Sequence, residues 1–278
     1  MGLLELFWIL FIISAISPLI QRRLLESKRI ATLRDIETFR GSRVIGLIHR
    51  QETLSLFGFP LVRYIDIQDS EEIIRAIKLT DDSVPIDIIL HTPGGLVLAS
   101  EQIAHALLRH PARVTVFVPH YAMSGGTLIA LACDEIIMDE NAVLGPVDPQ
   151  VGKYPAASII HAADMKPIER TDDETLILAD VSRKAIKQVQ HYVEKILDGR
   201  MKKPAARKLS RALTSGQWTH DYPISFDEAR EIGLSVNEGV PEDVYHFMTL
   251  FPQPKGRRPS VQYVPIPYHE PPSSGKGK

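Results

Sequence analysis

Apolar positions fall along this chain in short blocks, each followed by a turn and then by residues at helical spacing. Arg43–His49 (RVIGLIH), Ile86–His91 (IDIILH), Val114–Val118 (VTVFV) and Glu135–Met138 (EIIM) are apolar on both faces. That pattern predicts buried strands with helices on either side. Val62–Ile67 is a shorter candidate strand. Ile73, Ile74 and Ile77 predict a helix over Asp69–Leu79, with Asp69 and Ser70 as its caps. Further helices are expected at Val97–Arg109, Thr127–Ala132, 172–199, 203–214 and Phe226–Ile232, the last closed by Gly233. The loop 51–59 has an apolar tip, and 145–150 (GPVDPQ) is a rigid loop. Alternation of strand, turn and helix predicts a parallel α/β fold.

The amino terminus departs from this pattern. Leu3–Ile20 (LLELFWILFIISAISPLI) is predominantly apolar, with Glu5 the only charge. Eighteen helical residues rise about 27 Å, close to the thickness of a bilayer core. Arg22, Arg23, Lys28, Arg29 and Arg34 follow the apolar run. This order predicts an uncleaved single-pass membrane anchor with the body in the cytoplasm, rather than a signal peptide, whose charge precedes its core. Residues 1–22 read as the anchor, 23–40 as a juxtamembrane helix, 41–250 as one folded domain and 251–278 as a proline-rich tail.

Composition narrows the chemistry. A net charge of −2 gives no basic field for nucleic acid. The single cysteine, Cys133, excludes an internal disulfide and sits among apolar residues as a core thiol. No metal-ligand spacing and no phosphate-loop spacing is present, so no metal and no cofactor is expected.

Two glycine pairs carry the remaining signal. Gly94-Gly95 and Gly125-Gly126 each lie between a buried strand and a helix, and Ser124 precedes the second pair. In a parallel sheet both turns reach the same carboxyl edge. A serine there can act as a nucleophile, with nearby backbone N–H groups as oxyanion donors. It needs a base. His120 and His91 are nearby in sequence. Lys184 shares a helical line with Ile177, Val181 and Gln188, which predicts that it points inward, and Lys166 lies in a loop that could swing inward. Asp148 could orient a base or cap a turn.

The segments HTPGGLVLAS, VPHYAMSGGTLIALACDEIIMDENAVLGPVDPQ, DDETLILADVSRKAIKQV and LTSGQWTHDYPISFDEAREIGL together resemble the serine dehydrogenase proteinase family. That family belongs to the Clp-protease/crotonase-like superfamily, beside signal peptide peptidase A. The resemblance implies repeated ββα units with a mostly parallel sheet, Ser124 as nucleophile, and oxyanion donors at Gly94 or Gly95 with Gly125. It also implies a homo-oligomer and a polypeptide substrate. Clp subunits carry their histidine in the loop that here reads GPVDPQ, so the Ser–Lys dyad of signal peptide peptidases is the better match, with Lys184 or Lys166 as base. Thr219-His220-Asp221 reads as structural or substrate-contacting.

The expected activity is therefore that of a membrane-anchored serine peptidase. The rivals are a crotonase-like acyl-CoA hydrolase or isomerase using the same oxyanion pocket, and an inactive membrane scaffold. Exposure of both lysines would favour the scaffold.

Overall fold

The structure is a computed structural model and describes residues 2–50 and 63–251. The 51–59 loop and the proline-rich tail from residue 252 onward lie outside the described residues. In chain order, helix α1 (Leu3–Arg40) leads into β1 (Arg43–Ile48), α2 (Ile67–Lys78), β2 (Ile86–His91), α3 (Val97–Leu108) and β3 (Val114–Val118). Next come β4 (Tyr121–Ala122), α4 (Gly125–Leu131), β5 (Glu135–Met138), β6 (Val143–Leu144), β7 (Gln150–Val151), β8 (Tyr154–Pro155) and α5 (Ala156–Asp164). The chain closes with α6 (Asp173–Leu197), α7 (Lys203–Thr214), β9 (Ile224–Ser225), α8 (Phe226–Glu231), β10 (Val236–Glu238) and α9 (Glu242–Thr249).

The main sheet has five strands in the order β1-β2-β3-β5-β10, and every pairing in it is parallel. All four long apolar blocks are its strands. β2 and β3 are buried at every position, because helices cover both faces. On one face α2, α3, α4 and the later helices bury the larger core, including Ile45, Ile88, Val116, Ile103 and Leu128. On the other, Ile36 of α1 and Val244, Phe247 and Met248 of α9 pack on Val44, Ile89 and Phe117. Of the expected strand Val62–Ile67, Val62 lies outside the described residues, and the rest contribute one bridge, Ile65 to Gly95, before Ile67 opens α2. The cap of α2 also differs from expectation. Asp66 accepts from the Asp69 N–H while Asp69 accepts from the Asp66 N–H, a reciprocal capping box.

A second, three-stranded sheet, β4-β6-β9, sits at the carboxyl edge of the first. β4 and β6 run parallel, and β9 runs antiparallel to β6.

The two segments expected as anchor and juxtamembrane helix form one continuous helix of 38 residues, Leu3–Arg40. Its second half is fixed to the body. Arg29 donates from Nε to the Leu250 carbonyl at 2.9 Å and lies over the Phe251 ring. Arg40 pairs with the buried carboxylate of Asp87, which also accepts from Ser42 at 2.5 Å. Among the described residues no helix is long and apolar enough to cross a membrane. Many side chains of Leu3–Ile20 lie outside the described ones. Of those described, Leu4, Phe7, Trp8, Phe11, Ile16 and Ile20 are exposed.

Candidate active site

The short strand β4 ends at Ala122, and two residues later the backbone turns sharply at Ser124. Ser124 has φ 50° and ψ −114°, and among the described residues it is the one non-glycine with positive φ. An L-residue held there costs about 1–3 kcal/mol, and such strain gathers at functional positions. The turn is locked on both sides. Met123 N–H donates to Thr92 O at 3.0 Å, and Gly126 N–H donates to Met123 O at 2.7 Å. The Thr127 hydroxyl lies 2.8 Å from the carbonyls of both Ala122 and Gly145 and accepts from Gly145 N–H at 3.0 Å. No hydrogen bond from the Ser124 side chain caps α4, and among the described residues its hydroxyl has no hydrogen-bond partner, at the amino end of a buried helix.

The other glycine turn packs directly on this one. A β-carbon on Gly94 would lie 2.8 Å from Met123 O and 2.8 Å from Ser124 Cβ. One on Gly95 would lie 2.2 Å from Ile65 O. The backbone approach thus requires glycine at both positions. The Gly94 N–H is already used, donating to Thr92 Oγ1 at 3.1 Å. Gly95 and Gly125 have no acceptor for their N–H groups among the described residues. A β-carbon on Gly125 would sit 3.6 Å from the Gly95 nitrogen, so the two free amides are neighbours beside Ser124. Of the two donors expected in the first turn, the geometry favours Gly95 over Gly94.

The three-stranded sheet brings a third group to this edge. Ala122 pairs with Leu144, and Leu144 pairs with Ile224. Ser124 leaves the end of β4, Asp148 follows the same end of β6, and His220 precedes β9, which enters from that end. His220 Nδ1 lies 2.8 Å from Asp148 Oδ1, and the other Asp148 oxygen accepts from Gln150 Nε2 at 2.8 Å. The Asp148 side chain is 2% exposed and that of His220 is 36% exposed. A buried carboxylate therefore holds a histidine with Nδ1–H donated to it, leaving Nε2 as a base on the open side. The loop without a histidine receives one from another segment. The partners are separated by 72 residues in sequence, which is why the pattern around GPVDPQ does not disclose them.

The family model of the ClpP-like SDH-type serine proteinases matches residues 1–278. The chain belongs to that family. Two uncharacterized proteins of Methanocaldococcus jannaschii are similar along nearly its whole length. MJ1495 is 53% identical over 99% of this chain and 94% of its own, and MJ0137 is 54% identical over 94% and 92%. Among solved structures, the 1510-N membrane-bound stomatin-specific protease, as a mutant in complex with a substrate peptide, is similar at 20% identity and TM-score 0.45. That likeness covers 66% of this chain and 74% of the other. ClpP1 from Listeria monocytogenes is similar at 14% identity and TM-score 0.45, over 74% and 96%.

In this member of the family both candidate lysines are exposed. Lys184 does not point inward: it is exposed and pairs with Asp180 at 2.6 Å. The buried stripe of α6 is Ala179, Ser182, Val189, Val193 and Ile196. Lys184 is two residues, or about 200°, around the helix from Ser182. Ile177 and Val181, the apolar members of its line, are 63% and 42% exposed. Lys166 is exposed in the turn after α5. No hydrogen bond or ion pair joins either lysine to Ser124 among the described residues. Lysine becomes a neutral base chiefly through burial, which neither has within one chain. Taken alone this favours the scaffold reading; the His220–Asp148 pair answers it. Cys133 is buried, and burial pushes its thiol up, as suits a core residue.

His91 and His120 occupy the opposite face of the sheet from α3 and α4. His91 is 3% exposed, its ring centroid lies 4.2 Å from that of Tyr121 at a tilt of 54°, and neither ring nitrogen has a hydrogen-bond partner among the described residues. Burial, reinforced by the charge of Arg50 and the neighbouring His120 and His49, lowers its pKa from 6.5 to about 3. His120 is lowered by burial and Arg50, against the pull of Asp139. The unfolded chain therefore takes up these protons first. Stability is full above about pH 6.5 and is lost as pH falls from there towards 3. Each proton contributes a slope of at most about 1.4 kcal/mol per pH unit. Melting temperature measured across this window should fall less in His91→Phe than in wild type; parallel curves would show that His91 carries no such linkage.

Proposed function

We propose that this protein hydrolyses peptide bonds through an acyl-enzyme on Ser124, with His220 as base and Asp148 as the carboxylate that orients it. The observation that carries this reading is the His220–Asp148 pair delivered to the edge where Ser124 turns. His220 Nε2 takes the hydroxyl proton as Ser124 Oγ attacks the peptide carbonyl. The N–H groups of Gly95 and Gly125 receive the developing oxyanion. The proton passes to the leaving amine, and water, activated by the same histidine, releases the acyl group. This assignment replaces the Ser–Lys dyad.

The apolar run Leu3–Ile20, the exposed Leu4, Phe7, Trp8, Phe11, Ile16 and Ile20, and the basic cluster that follows support attachment of α1 to a bilayer, with the domain on the cytoplasmic side. Exposed Tyr154, Met165, Ile168, Ile177 and Val181 support burial of the α5–α6 hairpin against a second copy. Flotation with lipid vesicles and mass measurement in detergent read these two properties; a protein that neither floats nor self-associates lacks both.

The deciding experiment is labelling by a fluorophosphonate, mapped by mass spectrometry. Wild type, Lys184→Ala and Lys166→Ala should label at Ser124, whereas Ser124→Ala and His220→Ala should not. If wild type stays unlabelled while a known serine peptidase reacts, the activated serine is refuted and the scaffold reading stands. If a lysine variant loses the label while His220→Ala keeps it, the base is that lysine.

A further inference from the structure

The residues behind the first glycine turn form a closed hydrogen-bonded ring. His49, just after β1 and 5% exposed, places Nε2 3.2 Å from Asp69 Oδ2 and Nδ1 2.9 Å from Thr92 Oγ1. A carboxylate can only accept, so it fixes the hydrogen of the neutral ring on Nε2. Nδ1 is then an acceptor and takes the Thr92 hydroxyl hydrogen. Thr92 Oγ1 accepts from the Gly94 N–H at 3.1 Å, and its hydroxyl also lies 3.4 Å from Gly94 O. On the far side, Asp69 Oδ2 accepts from Asp66 N–H at 3.0 Å. The next residue back, Ile65, donates to Gly94 O at 2.7 Å and accepts from Leu96 N–H at 2.8 Å. Burial pushes the Asp69 carboxyl up, but hydrogen bonds from His49 and Asp66 and the positive charge of Arg63 hold the group below its ordinary value.

The consequence is directional. In a trans peptide unit the C=O and N–H point opposite ways, and no peptide bond described here is cis. Because Ile65 holds Gly94 O, the Gly95 N–H of the same unit faces away from Ile65, towards Gly125 and Ser124. We propose that His49 is a positioning residue for hydrolysis: it holds Thr92, whose hydroxyl lies 3.1 Å from Gly94 N and 3.4 Å from Gly94 O, and so, together with Ile65, sets the Gly94–Gly95 peptide plane that aims the Gly95 N–H at the oxyanion. This rests on the serine-peptidase reading. His49 touches neither substrate nor reacting atoms. Its effect belongs to the transition state, since the substrate carbonyl is not yet charged in the ground state.

The test uses the full chain and a fluorogenic peptide. His49→Ala should lower kcat by about 10- to 100-fold with KM changed by no more than about twofold. Affinity for a peptide aldehyde, which forms a tetrahedral adduct on the serine, should fall by the same factor as kcat. His49→Asn offers an amide oxygen to the Thr92 hydroxyl and should recover most of the loss. Thr92→Val should match His49→Ala, and Thr92→Ser should match wild type. Hydrogen exchange at the Gly94 amide should quicken in both low-activity variants. An unchanged kcat in His49→Ala overturns the proposal. So does an equal loss in His49→Ala and His49→Asn with equally lowered melting temperature, which marks a packing role only. If wild type labels with fluorophosphonate and His49→Ala labels at the same rate, this inference falls while the peptidase stands. If wild type does not label, both fall.

Discussion

Removing Ser124 or His220 should each lower peptide hydrolysis by about ten-thousand- to a million-fold, and removing both should do no further harm. The two act as one unit: without the base the hydroxyl keeps its proton, and without the hydroxyl the base has nothing to activate. What survives in each variant is the oxyanion pocket of Gly95 and Gly125, which still binds and polarises the carbonyl. Asp148→Asn should be intermediate, because an amide can present its N–H to His220 Nδ1 and favour the wrong tautomer. Initial rates with an unstructured polypeptide such as casein decide this. Losses that multiply in the double variant would show that Ser124 and His220 act separately. The strained backbone adds a second readout. Alanine at position 124 inherits φ 50°, whereas glycine tolerates it. Ser124→Gly should therefore be about 1 kcal/mol more stable than Ser124→Ala, though equally inactive.

Gly95→Ala should have the largest effect on folding. Its new β-carbon would lie 2.2 Å from Ile65 O and 2.3 Å from Ile65 N. These are backbone atoms tied to Gly94 O and Leu96 N–H, so neither can yield without opening the turn. A cost of about 3–5 kcal/mol follows, or roughly a 10 °C fall in melting temperature, together with loss of activity. Gly125→Ala meets Ser100 Oγ at 2.2 Å. A hydroxyl can rotate away, so stability should suffer less there. Gly152→Ala, with φ 64° and open space around it, should cost only about 1 kcal/mol. Thermal melts of the three variants test this order; equal shifts would mean that local contact does not set the cost.

The sheet was legible because parallel strands buried on both faces leave unbroken apolar runs, and β1, β2, β3 and β5 each occupy one. The glycine turns were legible because close backbone approach restricts residue choice. The base was not. His220 reaches Asp148 only because β9 pairs with β6, and two-residue strands leave no periodic trace. Lys184 misled because Ile177 and Val181 suggested an inner face, although both are exposed. Helices α5 and α9 went unnoticed for a related reason: at nine and eight residues they are too short to establish a period. His49 read as the end of a strand, and its role emerges only with Asp69 and Thr92 in place.

Helix α1 has one more bearing on the proposed hydrolysis. It spans about 57 Å as a single rod of 38 residues, and from Leu19 to Arg40 it contains neither glycine nor proline. Its carboxyl half is riveted to the domain through Arg29, Ile36 and Arg40. Whatever surface holds the first half therefore sets the height of the Ser124 turn above it. A flexible tether would let the turn sweep a hemisphere; a rod would make it a ruler, and on the proposed peptidase reading distance from that surface would become a criterion of substrate choice alongside sequence.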